Sequence, residues 1–146
     1  MKLSTRSRYG VRMMVDLADH YGGNPVFLKD IACRQEISEK YLSLIVIPLR
    51  GAGLIQSTRG ARGGYALSRK PSEITVLDIL KALEGDISLV DCVGDEKGCR
   101  QSGECATRDV WDALSRSISD TLASVTLAEL VERCHKKADN HLMSYI

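Results

Sequence analysis

Residues 28–68 confine the fold more than any other stretch of the chain. Leu28, Ile31 and Ala32 recur at helical spacing over 28–34, and a four-residue turn, 35–38, follows. Ser38 stands where an N-cap belongs, ahead of a second helix over 39–50 with Leu42, Ile45, Val46 and Leu49 on its inward face. Leu54 to Thr58 then alternate like a strand, and Tyr65 to Ser68 read as the antiparallel partner. Between them lies Arg59-Gly60-Ala61-Arg62-Gly63-Gly64, a glycine-rich connection carrying two arginines. A short helix, a tight turn, a capped helix and a hairpin in this order make a winged helix-turn-helix. Two residues depart from the usual pattern. Glu36 occupies a turn position where glycine is common, and Pro48 bends the last turn of the second helix while leaving its first turns intact.

The flanking segments complete a mainly α fold with a small β-hairpin wing. Upstream, Met14, Leu17, Ala18 and Tyr21 predict a helix over 9–21 that ends at Gly22-Gly23-Asn24-Pro25. Pro71 marks the expected boundary between a DNA-binding domain, 1–70, and a helical arm, 71–146. In that arm Thr75 and Asp78 form a capping-box-like start to a helix with Val76, Ile79, Leu80 and Leu83 inward. A polar loop over about 85–105 follows, then a long helix over 107–124 whose stripe is Val110, Trp111, Leu114, Ile118, Thr121, Leu122 and Val125. A last short helix begins at the capping box Thr126-Leu127-Ala128-Glu129. The long stripe is too apolar for so small a domain to cover, so a homodimer joined through this helix is expected. The chain's 146 residues suit one compact domain with an arm, and aromatic content of 5% requires a mostly aliphatic core.

Net charge of +1 conceals a division. Residues 1–70 carry 12 Lys and Arg against 5 Asp and Glu, whereas residues 71–146 carry 8 against 14. A basic half attached to an acidic half is expected when one half meets a polyanion, here double-stranded DNA. In a winged helix the N-terminal residues of the second helix reach base edges. Those are Ser38, Glu39, Lys40, Ser43 and Leu44, with serine able to bond several bases and an aliphatic side chain able to meet a thymine methyl. Lys40, Tyr41 and Arg50 are expected on phosphates. Arg59 and Arg62 lie on a wing whose glycines, Gly60 and Gly64 among them, permit close approach to a narrow minor groove. Lys2, Arg6 and Arg8 extend the positive surface. Binding rather than catalysis is the expected activity. The N-terminus has no apolar signal-peptide core, and the longest apolar run, LSLIVIPL, is too short to span a bilayer, so the expectation is a cytoplasmic protein without membrane attachment.

Cys92, Cys99 and Cys105 lie in DCVGDEKGCRQSGEC, a charged, Gly-rich stretch with no core to receive them. In a reducing compartment such thiols point to metal binding or redox chemistry rather than to structural disulfides. Cys33 and Cys134 fall on helical segments and are expected to be ordinary core or surface residues.

The opening KLSTRSRYGVRMMVDLA, the LKDIA…ISEKYL motif, RGARGGY, ITVLDILKALEG and VTLAEL together resemble the IscR-like regulators of the Rrf-two family, which also includes nitric-oxide-sensing and cysteine-metabolism repressors. The resemblance spans 2 to about 132 and implies a dimeric winged-helix transcription factor. In many members a 2Fe–2S or 4Fe–4S cluster on the dimerisation arm alters which DNA sites are bound. The family's three cluster cysteines match Cys92, Cys99 and Cys105, but the histidine found three residues after the last of them is Arg108 here, which cannot ligate. Ser43 likewise stands where relatives often have an acidic residue that helps select the DNA site. The wide spacing of the three cysteines suits wrapping an iron–sulfur cluster, with 2Fe–2S expected ahead of 4Fe–4S, and lacks the tight pairs of structural zinc. The fourth donor stays open among Asp91, Asp95, Glu104, Thr107, Asp109 and a side chain such as Asp16 supplied by a second copy. Iron–sulfur donor proteins would then be further partners. Two alternatives remain: a cluster-free repressor of the same fold sensing thiol state or a metabolite, and a small iron–sulfur electron carrier, which would show no salt-dependent DNA affinity.

Overall fold

Ser4 starts the first helix: its hydroxyl accepts from the Ser7 amide at 3.0 Å, so α1 runs Thr5–Asp19, four residues ahead of the start predicted from apolar spacing. The computed structural model describes residues 3–94 and 104–143. After α1 come α2 (Leu28–Gln35), α3 (Glu39–Gly51), β1 (Ile55–Thr58), β2 (Gly64–Leu67), a single 3-10 turn (Pro71–Glu73), α4 (Val76–Glu84), the one-turn α5 (Asp91–Gly94), α6 (Ala106–Ala123) and α7 (Leu127–Met143). The two strands pair antiparallel, with Ile55 opposite Leu67 and Thr58 opposite Gly64.

The core is aliphatic and joins both parts of the chain. Met13, Met14 and Leu17 of α1 meet Leu42, Ile45 and Leu49 of α3, with Ile31, Leu54, Ile55 and Leu67 from α2 and the hairpin. Ile79 and Leu83 of α4 and Leu127 at the start of α7 belong to this same core. Gly10 allows α1 to close on α4, because a Cβ there would lie 2.2 Å from Leu83 Cδ1. An antiparallel bridge between Thr75 and Thr126 clips the starts of α4 and α7 together: the Val76 amide donates to the Val125 carbonyl and the Leu127 amide to that of Ile74, each at 2.9 Å.

Three sequence expectations are corrected here. Tyr21 does not continue the inward face of α1; the helix has ended two residues earlier and the ring is 49% exposed, while Met13 takes the buried place. The final helix is not short but 17 residues long, and it returns to the end of α1, where His135 Nε2 lies 2.7 Å from Asp19 Oδ1. The loop over 85–105 also contains a helical turn, α5.

Glu36 adopts φ 53°, ψ 45° at the C-cap of α2, the left-handed conformation that favours glycine. Pro48 lies in α3 as expected, near its C-terminal end. Of the expected stripe, Ile118 and Leu122 on α6 are half-buried, as is Val125, which lies beyond the end of the helix, while Val110, Trp111 and Leu114 are exposed within the single chain.

Candidate nucleic-acid interface and cysteine site

Ser38 caps α3 by accepting from the Tyr41 amide at 3.4 Å, which directs the first turns of the helix outward from the core. With Leu42, Ile45, Val46 and Leu49 buried, the opposite face presents Glu39, Lys40, Ser43, Leu44, Ile47 and Arg50 to solvent. The Ser43 hydroxyl donates to the Lys40 carbonyl at 2.7 Å, leaving its lone pairs for an incoming donor. Tyr41 is half-buried and packs edge-on against Tyr9, ring centres 5.8 Å apart at 90°, which fixes α3 to the first turns of α1.

Two shallow clefts flank α3. One lies towards the start of α1, bounded by Thr5 and Tyr9 on one side and Ser38, Lys40, Tyr41 and Leu44 on the other, with Arg6 beside Leu44 and Ile47. The other lies towards the wing and is lined by Lys29, Glu39, Ser57, Thr58 and Arg59 among others. The structure therefore brings Lys40 and Arg59 to the edges of adjoining clefts, with Arg6 near α3. Arg8, Arg50 and Arg62 are all exposed, and Arg8 donates to the Thr5 hydroxyl at 3.3 Å. Lys2 lies outside the described residues.

The wing glycines serve different ends. Gly60 adopts φ 107° in the turn with open space around it. Gly64 adopts φ 140° directly against the backbone of Val26, whose amide and carbonyl pair with Tyr65 at 2.8 Å, so its missing side chain is a packing requirement. Sequence reasoning missed Lys29 and Ile47. Ile47 could have been found by subtraction, since removing the inward set 42, 45, 46, 49 leaves it on the outward face three residues beyond Leu44.

Behind this face Asp16 holds α2 to α1. Its carboxylate accepts from Arg34 Nε at 3.0 Å and Nη2 at 2.6 Å and from Gln35 Nε2 at 3.0 Å. Burial pushes the Asp16 carboxyl up, but bonds from Arg34 and Gln35 and the charges of Arg34 and His20 outweigh it, and the net direction is down. A carboxylate 5% exposed with both oxygens engaged is not available to a cluster on another subunit, which removes Asp16 from the expected fourth donors. At the arm, Glu84 of α4 accepts from the hydroxyls of Ser4 and Ser7, and these bonds hold its carboxyl below the usual range.

Cys92 and Cys105 come from the two elements that meet at the start of α6. Cys105 is the N-cap residue of α6, and Cys92 sits in α5. Arg108, in the first turn of α6, donates from Nε to the Cys92 carbonyl at 3.0 Å and so ties α5 to α6. The Leu89 amide donates to Ser115, the buried serine of α6, at 3.2 Å, which lays the connecting chain along the same helix. The Thr107 hydroxyl, 3.2 Å from Sγ, and the Arg108 amide hold the Cys105 thiol below its ordinary value. Cys99 lies outside the described residues, and among those described no three Cys, His, Asp or Glu side chains converge as a metal site. Glu104, Thr107 and Asp109 are exposed beside Cys105; Asp91 is exposed beside Cys92, and Asp95 lies outside the described residues. Cys33 and Cys134 are both exposed.

A helix-turn-helix whose outer face is basic, followed by an arginine-tipped hairpin, defines the class of winged-helix DNA-binding regulators. The chain belongs to the Rrf2 family, described as iron-dependent transcriptional regulators, which it matches over residues 3–133. It is 44% identical over 143 residues to protein rrf2 of Nitratidesulfovibrio vulgaris, spanning 96% of this chain and 95% of that one. The structure of CymR, the global cysteine regulator of B. subtilis, superposes with a TM-score of 0.77 at 40% identity, covering 91% of this chain and 98% of that one. That of T. potens IscR superposes at 0.76 with 42% identity, covering 92% and 88%. Among the described residues no helix is long and apolar enough to cross a membrane.

Proposed function

We propose that this regulator binds double-stranded DNA as a homodimer through residues 1–70 and that an iron–sulfur cluster on the 71–146 arm modulates the binding. The observation that carries the DNA reading is the shared face: the start of α1, the N-terminal half of α3 and the wing border adjoining clefts edged by Lys40 and Arg59. On this reading Ser38, Ser43 and Leu44 meet base edges, while Lys40, Tyr41, Arg50, Arg8 and Lys2 contact phosphates. Arg59 and Arg62 enter a minor groove beside the turn at Gly60, with Gly64 holding the second strand against Val26. The exposed Val110, Trp111 and Leu114 on α6 support pairing with a second copy, which would remove their apolar surface from water.

The donor set fits a cluster at the arm. Cys92 and Cys105 belong to elements tied together by Arg108, and the thiol of Cys105 is eased towards the thiolate that iron requires. Cys99 would supply the third ligand. Glu104, Thr107 and Asp109 are the neighbouring oxygen donors, and Arg108 takes no part as a ligand. A bound cluster would supply redox-sensitive or dissociable iron ligation, and either a 2Fe–2S rhomb or a fully ligated 4Fe–4S cubane would take the three thiolates and one other donor. Because α5 and the connector rest on α6, loss of the cluster would be felt at the dimer helix, and through Glu84 with Ser4 and Ser7 at the start of α1. A cluster-free thiol-sensing repressor is the second reading, favoured by the half-exposed Cys105 thiol that Thr107 and the Arg108 amide hold below its ordinary value.

Anaerobic reconstitution with iron and sulfide counting separates the two: visible absorption with acid-labile sulfide, lost on Cys105→Ser, supports the cluster, and a colourless protein leaves the thiol sensor. Arg59→Ala should weaken DNA binding, reduce the slope of log affinity against log salt by about 1, and leave the cluster colour unchanged. Equal loss of both properties would refute the separation of the two parts.

A further inference from the structure

The outward face of α3 carries two large aliphatic side chains within a basic surface, Leu44 at 55% and Ile47 at 61% exposure. They stand three residues apart, so they share one side of the helix, separated by about 4.5 Å along its axis. With Tyr41 and Pro48 they line one shallow groove, and Arg6 closes its α1 side. The helix does not need them outward for its own packing, since Leu42, Ile45, Val46 and Leu49 already fill the core side. An apolar ridge flanked by Arg6, Lys40 and Arg50 is poorly suited to an apolar protein partner, because that partner would bury the cations as well. It is well suited to a surface that offers dense negative charge at its edges and a methyl group on its floor. In the major groove the C5 methyl of thymine is that group.

We infer that Leu44 and Ile47 form an apolar reader of thymine methyls, so that this regulator prefers operators with thymines on successive or near-successive steps under the middle of α3. The axial separation of about 4.5 Å exceeds the roughly 3.4 Å rise between base pairs, so the two side chains can meet methyls on different steps. This inference rests on the DNA-binding reading and adds to it the chemical group that is recognised.

The test begins with a duplex recovered by in vitro selection from random sequence with the full-length protein. That duplex is then compared with copies in which single thymines are replaced by deoxyuridine, which removes only the methyl. Selection should return thymines in each half-site. Two of the deoxyuridine positions should each weaken binding by about fourfold, the worth of burying one methyl-sized group. Leu44→Ala should abolish discrimination at one position and Ile47→Ala at the other. Both side chains are exposed, so the variants should keep the wild-type melting temperature, and Ile47→Ser should behave like Ile47→Ala. A wild-type protein that binds its selected duplex but is indifferent to every deoxyuridine overturns the inference and leaves the DNA-binding reading standing. A selected site without thymine overturns it as well. Altered oligomeric state in Ile47→Ala, with methyl discrimination intact, assigns the ridge to a protein contact and also overturns it. No retention of any duplex, random DNA included, at low salt removes the DNA-binding reading itself, and the inference with it.

Discussion

Removing the Arg34 guanidinium should both destabilise the protein and change how its stability depends on pH. Arg34→Met keeps the aliphatic stem but takes two donors, at 3.0 and 2.6 Å, from a carboxylate that is 5% exposed. Two unit charges about 4 Å apart attract by roughly 4 kcal/mol at an effective dielectric of about 20. Breaking a fully buried pair costs about 3–5 kcal/mol. Here the Arg34 side chain is 40% exposed, so solvent screens part of the attraction, and Gln35 still donates to Asp16. The expected loss at neutral pH is therefore about 1–3 kcal/mol.

The sign of the pH effect follows from the Asp16 carboxyl. In the wild type its folded pKa is lowered, so its contribution is complete above the ordinary carboxylate value and is lost as pH falls through the folded value. In Arg34→Met the burial that opposes ionisation faces fewer compensating partners, so the folded pKa rises and protonation relieves the penalty. The difference in unfolding free energy between the two proteins should thus shrink as pH falls from about 7 to about 3. Urea denaturation followed by far-ultraviolet circular dichroism at several pH values measures it. A difference below about 0.5 kcal/mol at neutral pH, or one that stays constant into acid, would refute the clamp.

Two further outcomes test the fold. Glu36→Gly should stabilise the protein by about 0.5–1 kcal/mol, because glycine adopts the left-handed conformation at φ 53° without the steric cost a Cβ brings there; a lower melting temperature would contradict it. Gly10→Val should destabilise it by about 1–3 kcal/mol, since the added atoms enter the space of Leu83 and force α1 away from α4, and Gly10→Ala should cost less; equal thermal midpoints for all three proteins would show that the helices do not close there.

The sequence alone determined what depends on near neighbours. The caps at Ser38 and Thr75, the outward and inward faces of α3, the turn at Glu36 and the hairpin around Arg59–Gly64 are all decided within a few residues. Each was therefore legible from spacing and turn chemistry. So was the grouping of charge on the first 70 residues, and the three cysteines without an apolar setting. Only the tertiary structure decided pairings between distant positions. Asp16 reads as an unassigned carboxylate until Arg34 and Gln35 are folded onto it. Glu84 reads as the solvated end of a helix until Ser4 and Ser7, 80 and 77 positions away, reach it. The course of α7 back to Asp19, and the bond by which Arg108 draws Cys92 to the start of α6, belong to the same class. Periodicity says which side of a helix is apolar, but a hydrogen bond between elements exists only once the topology has set them side by side.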